Sequence, residues 1–162
     1  HCRFAAPEAH LTSGGLGAMG YGLPAGLGAK LARPDAHVVT ITGDGSFAMN
    51  IQELATLRRY GVALKIVLLD NSTLGLVRQW QELFFDRHFS EIDLSDNPDF
   101  AAVAQAFGIE AFRSRREDVS AGIERLLAAP GPCLAHVIID PMENVWPLVP
   151  PGKSNSEMMH GD

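Results

Sequence analysis

The stretch at residues 38–50, VVTITGDGSFAMN, constrains the fold more than any other part of the chain. Its first five residues are all β-branched, which favours a strand, and a Gly-Asp-Gly-Ser turn follows directly. A helical pattern begins after this turn. The spacing therefore predicts a strand, a tight turn and a helix, the order found in sheets of parallel strands joined by crossover helices.

The turn at residues 43–46 indicates a binding site for an anion. A helix that starts at the carboxyl end of a parallel strand leaves its first N–H groups unpaired, which favours an anion such as phosphate. Asp44 lies where that anion would bind, so a divalent cation would have to separate the two negative groups, with Asp44 as an oxygen ligand. Asp44 and Ser46 are also common helix-capping residues, so the turn alone leaves both interpretations open.

A second strand is predicted at residues 64–69, LKIVLL, because a nearly continuous apolar run is typical of a strand buried on both faces. One helix is predicted over residues 47–60, ending before Gly61, and would connect the two strands in a right-handed βαβ unit. Both strands then end at the same edge of the sheet, so Asp44 and Asn71 are expected to converge. A carboxylate and an amide oxygen are suitable ligands for Mg²⁺.

The rest of the chain continues the alternation of helices and strands. Further helices are predicted around residues 23–31, 74–85, 98–107 and 117–129, and further strands at residues 111–114 and 134–139. Within residues 74–85 the spacing of Leu76 and Trp80 predicts an ordinary packing helix. Asn97 is the predicted N-cap of the next helix, with Pro98 at its first position.

These elements predict an α/β chain, a three-layer αβα fold with a mainly parallel central sheet. Residues 1–140 are expected to form the domain. Residues 141–162 contain four prolines and no periodicity, so they are expected to form an irregular tail lying over it.

The glycine-rich segment contains Gly15-x-Gly17-x-x-Gly20, the spacing of the dinucleotide-binding fingerprint. That fingerprint requires a strand running directly into its first glycine, and no run of β-forming residues precedes Gly15. We therefore favour the interpretation that these glycines let a helix pack closely on its neighbours. An NAD-binding Rossmann domain stays open as an alternative of a different class, as does a non-catalytic α/β interaction domain.

Composition argues against several classes of function. The formal net charge of −6 gives nucleic acid and anionic lipid no electrostatic reason to bind. No apolar run is long enough for a membrane span or follows the pattern of a signal peptide. Cys2 and Cys133 are too far apart for a zinc knuckle, and the six histidines lack metal-site spacing, so each histidine is interpreted as a surface or packing residue. We expect a cytoplasmic protein, and the missing initiator methionine predicts a segment of a longer polypeptide.

The Gly-Asp-Gly-Ser turn, with an asparagine 27 residues after its aspartate, resembles the cofactor-diphosphate motif of thiamine-diphosphate-dependent enzymes. Three further segments resemble the catalytic subunit of acetohydroxyacid (acetolactate) synthase: TSGGLGAMGYGLPA at 12–25, LGLVRQWQELFF at 74–85 and WPLVPPG at 146–152. The resemblance covers nearly the whole chain and corresponds to the carboxyl-terminal domain of that family. It implies thiamine diphosphate and Mg²⁺ as cofactors, with FAD in a middle domain that this chain does not contain.

The resemblance also implies roles for individual residues around the metal. Asp44, the side chain of Asn71 and the main-chain carbonyl of Thr73 would ligate Mg²⁺. Gly45 and Ser46 would meet the diphosphate. The family usually has two asparagines where this chain has Asp70 and Asn71 (residues 70–71), and the extra carboxylate is compatible with a metal site if it points into the turn.

For the rest of the cofactor, the resemblance implies that the Gly17 carbonyl holds the aminopyrimidine and that Met19 keeps the cofactor bent. Trp80 would lie beside the acceptor pocket and favour 2-ketobutyrate over pyruvate as second substrate. Gly17, Met19 and Trp80 are thus the residues implied in catalysis. The remaining implied cofactor contacts are Gly43, Gly75 and Leu76, the last standing where many members have methionine.

The activity that the resemblance implies is that of a larger enzyme. It would decarboxylate pyruvate and ligate the two-carbon unit to a second 2-keto acid, a step of branched-chain amino-acid biosynthesis. A glutamate from a pyrimidine-binding domain of a neighbouring subunit would be needed, which implies a homo-oligomer and an inactive isolated segment. Another thiamine-diphosphate enzyme, a keto-acid decarboxylase, pyruvate oxidase or glyoxylate carboligase, stays an alternative.

Overall fold

The computed structural model describes residues 4 and 6–161, which form a parallel sheet flanked by helices. The strands are β1 (Val39–Gly43), β2 (Lys65–Asp70), β3 (Glu110–Ser114) and β4 (Cys133–Ile138), hydrogen-bonded in the order β1-β2-β4-β3. All three pairings are parallel. The predicted α/β class and parallel sheet are therefore confirmed, while the interpretations of His1 and Cys2 concern residues outside the described ones.

Helices pack on both faces of the sheet, although Val39 and Ile41 of the edge strand β1 are exposed. They are α1 (Gly22–Ala32), α2 (Asp44–Ala48), α3 (Glu53–Tyr60), α4 (Gly75–Phe84), α5 (Phe100–Ala106) and α6 (Val119–Ala128). The larger core cluster packs side chains of α1, α2, α3 and α5 against one face, and a smaller cluster packs those of α6 against the other. The predicted three layers follow from these two clusters. Among the described residues, no helix is both long and apolar enough to cross a membrane.

A glycine lets α1 lie directly on β1. A Cβ at Gly26 would lie 1.9 Å from Thr40 Oγ1, so no larger residue fits there. Gly15 and Gly17 play no such part, since nothing would meet a Cβ at either position. The described residues before Val39 contain no strand, so the strand that a dinucleotide fingerprint needs is absent from this part of the chain. Close packing of α1 is therefore confirmed at Gly26 but not at Gly15 or Gly17, and the Rossmann alternative is wrong.

The single helix predicted between the first two strands is wrong, because the structure has two. Helix α2 ends at Ala48, and α3 begins only at Glu53. Asn50 interrupts the run: its Nδ2 donates to the carbonyl of Gly20 at 2.8 Å, and the next N–H groups bond three residues back instead of four. Met49, whose spacing from Leu54 and Leu57 places it on the apolar face of a single helix over residues 47–60, is exposed. Helical periodicity could not reveal a break caused by a residue thirty positions earlier.

The N-cap of α5 is Asp99, not the predicted Asn97. Oδ1 of Asp99 accepts hydrogen bonds from the N–H groups of Ala101 and Ala102 at 3.0 and 3.2 Å. The side chain of Asn97 instead donates to Asp44 Oδ2 at 2.9 Å. Both residue types are good caps, so two candidates two positions apart could not be separated from sequence.

Helix α4 buries polar side chains and exposes apolar ones, the reverse of the packing helix that its spacing predicts. Leu76 is 54% exposed, whereas Arg78 and Gln79 are 4% and 0% exposed. The polar side chains are buried because residues 142–145 of the tail cover them. The apolar stripe is left facing an open groove.

Candidate functional site

The carboxyl ends of β1 and β2 lie side by side, with Gly43 opposite Leu69 in the parallel register. Asp44 follows as the first residue of α2, for which Gly43 is the N-cap, and Asp70 is the last residue of β2. The two aspartates are only 3% and 5% exposed. The structure thus brings two buried carboxyl groups to one edge of the sheet. Asn71 follows Asp70 directly in the chain.

The environment shifts the pKa values of these two carboxyl groups in opposite directions. Burial, together with the charge of neighbouring Asp70, raises the pKa of Asp44 to about 6. Burial also acts to raise the pKa of Asp70, but hydrogen bonds from His136 and Ser72 outweigh it and hold that pKa below its usual range. Adjacent buried carboxyl groups favour a cation or a shared proton between them. This edge is therefore suited to a positive charge.

The chain between β2 and α4, residues 71–74, is here called the β2–α4 turn. Asp70 Oδ1 accepts from both the N–H and the hydroxyl of Ser72, at 2.9 and 3.2 Å. Ser72 has a φ of 52°, in the left-handed region. Asn71 Oδ1 accepts from the N–H of Thr73 at 3.3 Å. The Asp70 carboxylate therefore points into the turn, the orientation that a neighbouring metal site requires.

Thr73 is held by the segment that precedes α5. It forms an isolated antiparallel bridge with Asp93, and its hydroxyl donates to the carbonyl of Ile92 at 2.9 Å. The two backbone hydrogen bonds of the bridge use the carbonyl of Ser72 and the N–H of Leu74. The carbonyl of Thr73 takes no part in either, so the bridge leaves it available to a ligand.

Gly75, the first residue of α4, provides the space for the Asn71 side chain. A Cβ at Gly75 would lie 2.6 Å from Asn71 Nδ2, well inside van der Waals contact. Glycine at this position therefore determines where the Asn71 amide can lie.

The groups at this edge are a carboxylate, a side-chain amide and a backbone carbonyl, all hard oxygen donors of the kind that Mg²⁺ prefers. Within residues 4 and 6–161, no cluster of three or more His, Cys, Asp or Glu side chains is arranged to hold a metal ion. An ion at this edge would have to take amide and backbone oxygens beside the carboxylate of Asp44. The residues present fit a hard divalent cation.

The glycine-rich segment lies against the start of α2. Ser46 Oγ accepts from the N–H of Gly20 at 2.8 Å. A Cβ at Gly45 would lie 3.4 Å from the terminal methyl of Met19, so this side chain covers the turn after β1. Gly17 adopts a φ of 61° in an exposed turn two residues earlier. Of the predicted cofactor residues, Met19, Gly45 and Ser46 are thus brought together, with Gly17 nearby in the chain.

An open apolar groove, here called the α4 groove, lies along the exposed side of α4. It has a volume of about 620 Å³ and is lined mainly by Leu76, Trp80, Phe84, Phe85 and His88. The Trp80 and Phe84 rings meet edge to face, 5.6 Å between centroids. A volume of this size suits a small molecule, and Leu76 places one end of the groove next to Gly75 and the β2–α4 turn.

Two buried side chains, here called the tail clamp, join α4 to the tail. Arg78 donates to Glu82 at 2.8 Å and also bonds the side chain of Asn144. Gln79 and Val145 exchange two hydrogen bonds, Nε2 to the carbonyl at 3.0 Å and N–H to Oε1 at 2.9 Å. Sequence reasoning missed the clamp, because the tail that buries these residues carries no periodic signal.

His136, in the middle of β4, is a second residue that sequence reasoning missed. It is 1% exposed, and its Nε2 lies 2.7 Å from Asp70 Oδ2. The ring also packs edge to face on Phe100 at 5.7 Å. The packing role expected of the histidines is therefore correct for His136, but the pairing with Asp70 was not foreseen. A single polar residue within an otherwise apolar strand was the available signal.

Comparison with known proteins places this geometry in a family. A sequence profile described as "Thiamine pyrophosphate enzyme, C-terminal TPP binding domain" matches residues 1–137. The chain is 57% identical over 160 residues to the acetolactate synthase isozyme 2 large subunit of Escherichia coli (strain K12), covering 98% of this chain and 29% of that protein. It is 44% identical to the acetolactate synthase large subunit of Cyanidium caldarium, covering 92% and 26%. The chain thus spans less than a third of the length of these relatives.

A solved structure supports the same relationship. The Rhodococcus jostii RHA1 thiamine diphosphate-dependent 4-hydroxybenzoylformate decarboxylase matches with a TM-score of 0.71 and 31% sequence identity. The match covers 76% of this chain and 24% of that chain.

Proposed function

This chain belongs to the family of C-terminal TPP-binding domains of thiamine pyrophosphate enzymes, and we propose that it holds the diphosphate end of thiamine diphosphate, through Mg²⁺, in an acetolactate (acetohydroxyacid) synthase. The complete enzyme would decarboxylate pyruvate and ligate the two-carbon unit to a second 2-keto acid, in branched-chain amino-acid biosynthesis. The observation that carries the proposal is the buried Asp44 carboxyl beside the β2–α4 turn. The 57% identical acetolactate synthase relative supports the choice of reaction.

The proposed metal ligands are the carboxylate of Asp44, the side-chain oxygen of Asn71 and the carbonyl of Thr73. Burial of Asp44 supports this set, because a buried carboxylate is costly unless a positive charge pairs with it. The carbonyl of Thr73 lies outside the hydrogen bonds of its bridge, and Gly75 leaves room for the Asn71 amide. Mg²⁺ would offset the repulsion between the negative charges of the diphosphate and of the Asp44 carboxylate.

The remaining cofactor contacts would come from two segments. Gly43, Gly45 and Ser46 would meet the diphosphate, where α2 starts. Gly17 would hold the aminopyrimidine through its carbonyl, and Met19 would press on the cofactor as an apolar wedge. The terminal methyl group of Met19 lies close enough to Gly45 to meet an added Cβ there, which supports this position. The helix α4 would add the last two contacts, Gly75 and Leu76.

Thiamine diphosphate, when bound, supplies an electron sink for breaking and forming the bond beside a keto carbon. The residues of this chain would orient the substrates and keep out water. Trp80 would line the acceptor site, which the apolar α4 groove supports because its wall matches the alkyl part of 2-ketobutyrate. The segment around Trp80 and the tail from Trp146 onward would be the mobile parts that close the site against water during turnover.

Other parts of the enzyme lie outside this chain. We propose that residues 1–140 form the cofactor-binding domain and residues 141–162 its covering tail. A pyrimidine-binding domain, on another domain or subunit of a homo-oligomer, would supply the glutamate that protonates the cofactor, and a middle domain would bind FAD. The segment alone would then be inactive.

Replacing Asp44 tests the metal site. In the complete native polypeptide, Asp44→Ala should abolish Mg²⁺-dependent thiamine diphosphate binding, a larger loss than the roughly 100-fold caused by removing a partner of a metal ligand. Calorimetric titration measures this. Asp35→Ala removes an exposed aspartate and serves as the matched control. Equal affinity in the Asp44 and Asp35 variants would contradict the proposal.

A thiamine-diphosphate decarboxylase is the second candidate, favoured by the similarity to the Rhodococcus decarboxylase structure. Product analysis with pyruvate alone separates the two. Acetolactate as the main product supports the synthase, whereas acetaldehyde without acetolactate supports the decarboxylase.

A further inference from the structure

The buried pair formed by His136 and Asp70 has no part in the site as proposed so far. His136 lies on β4 opposite Leu68 of β2, and its Nε2 is 2.7 Å from Asp70 Oδ2. Both side chains are buried. A buried hydrogen bond between an imidazole and a carboxylate is strong and directional, so it determines the orientation of the Asp70 carboxyl group.

The two carboxylate oxygens of Asp70 have different hydrogen-bond partners. Oδ2 pairs with His136, and Oδ1 accepts both hydrogen bonds from Ser72. Ser72 is held at a φ of 52°, a conformation that a residue with a side chain adopts only at some cost. The hydrogen bonds to Asp70 Oδ1 offset this cost. The conformation of the β2–α4 turn therefore depends on the orientation of Asp70.

Ser72 lies between the two proposed ligands that follow β2. Its backbone conformation determines the directions of the Asn71 side chain before it and the Thr73 carbonyl after it. We propose that His136 is a positioning residue for the metal: by fixing Asp70, it keeps the turn in the shape that presents Asn71 and Thr73 to Mg²⁺. This inference rests on the proposed metal-binding function.

The surroundings of His136 suit it to this role. Its ring and that of Phe100 meet edge to face, with 5.7 Å between the centroids, and this contact restricts rotation of the imidazole. Nδ1 lies 3.7 Å from Asp99 Oδ1 and has no hydrogen-bond partner among the described residues, so the hydrogen bond to Asp70 is made through Nε2 alone. The hydrogen bonds of the two Asp70 oxygens, to Ser72 and to His136, link His136 to the turn, so the role proposed for Asp70 is to hold the turn.

The test measures metal affinity without enzyme activity. In the complete native polypeptide saturated with thiamine diphosphate, His136→Leu should raise the dissociation constant for Mg²⁺ roughly 10- to 100-fold, the range for lost partners of ligand groups. His136→Gln, whose side-chain N–H₂ can take the place of Nε2, should restore most of the affinity. Calorimetry with Mg²⁺, and electron paramagnetic resonance with Mn²⁺, give the two readouts.

Leu126→Val controls for a loss of stability alone, because Leu126 is buried in the smaller core cluster on the other face of the sheet from His136. It should lower the melting temperature and leave Mg²⁺ affinity unchanged. If His136→Leu does not fold, His136→Asn, which cannot place its amide at the Nε2 position, should show the same loss.

The outcomes distinguish this inference from the proposed function. Wild-type Mg²⁺ affinity in the His136→Leu or His136→Asn variant, with Asp44→Ala impaired, overturns the role of His136 alone. An equal loss of affinity in Leu126→Val does the same. Wild-type affinity in Asp44→Ala overturns the metal site and, with it, this inference.

Discussion

The edge of the sheet where β1 and β2 end, here called the strand edge, lies next to the α4 groove, but the two regions are built in different ways. At the strand edge, Asp44 and Asp70 are buried, and each bonds a side chain from another element, Asn97 and His136 respectively. Along the groove Leu76 and Phe85 are exposed and Trp80 and Phe84 are half-buried, and α4 is held from its other side by the tail clamp.

The difference indicates how each region responds to change. Groups at the strand edge lie in place as soon as the parallel strands pair, so this region is preorganised. The groove depends on a tail that contacts α4 across 66 residues of sequence, and such a contact can open without disturbing the sheet. We expect substitutions at the strand edge to change affinity, and substitutions in the clamp to change local stability.

The largest effect is expected from Gln79→Leu. Two hydrogen bonds to Val145 are lost from a fully buried site, which should destabilise tail docking by about 2 kcal/mol and speed local exchange about 30-fold. Hydrogen exchange over residues 142–145 should report this, with β2 and β4 unchanged. If hydrogen exchange in β2 and β4 rose by the same factor as in residues 142–145, the contrast between the strand edge and the tail clamp would be wrong.

Gln81→Leu is the matched control for the Gln79 variant. Gln81, on the same helix, exchanges the same two backbone hydrogen bonds with Ser90, both at 3.1 Å. Its replacement should open the loop around Ser90 and leave residues 142–145 protected.

Gly75→Ala should have the next largest effect, and on affinity instead of stability. The added methyl group would displace the Asn71 amide by direct contact, and a loss of about tenfold in Mg²⁺ affinity, or about 1.4 kcal/mol, is expected. Calorimetric titration measures it. Gly28→Ala, a helical glycine with open space around it, should leave affinity unchanged and stabilise α1 slightly. Wild-type affinity in Gly75→Ala would contradict the assignment of Asn71.

The smallest effect concerns the pH dependence of the clamp. Hydrogen bonds from Asn144 and Arg78 hold the pKa of Glu82 below its usual range. A carboxyl group with a lowered pKa in the folded state stabilises it fully above the unfolded pKa, and this contribution is lost as pH falls through the folded pKa. The contribution should be under about 1 kcal/mol.

Melting temperatures of wild type and Glu82→Gln, compared at pH 7 and at successively lower pH, check this. Wild type should be the more stable at pH 7, and the difference should shrink as the pH falls below about 4. If the difference in melting temperature did not depend on pH, the charge of Glu82 would contribute nothing to the tail clamp of Arg78 and Gln79.

Much of the site could be predicted because it follows from short-range rules. Continuous apolar runs predicted β1 and β2, and a short connection between parallel strands places their carboxyl ends together. The position of Asp44 beside the residues that follow β2 came from this rule alone. The break at Asn50 could not be predicted in the same way, since it depends on the carbonyl of Gly20.

The amino-acid sequence by itself determined the strands, the turn between β1 and α2, and the edge where the polar groups meet, because short runs of β-branched and apolar residues favour strands and the connection between parallel strands fixes where they end. Only the tertiary structure decided the burial of Arg78, Gln79 and His136 and the pairing of Asn97 with Asp44. A polar side chain can be buried only where another segment supplies its hydrogen-bond partner. Each of these side chains has a partner between 53 and 66 residues away, beyond the reach of any local pattern, and Arg78 has the local partner Glu82 as well.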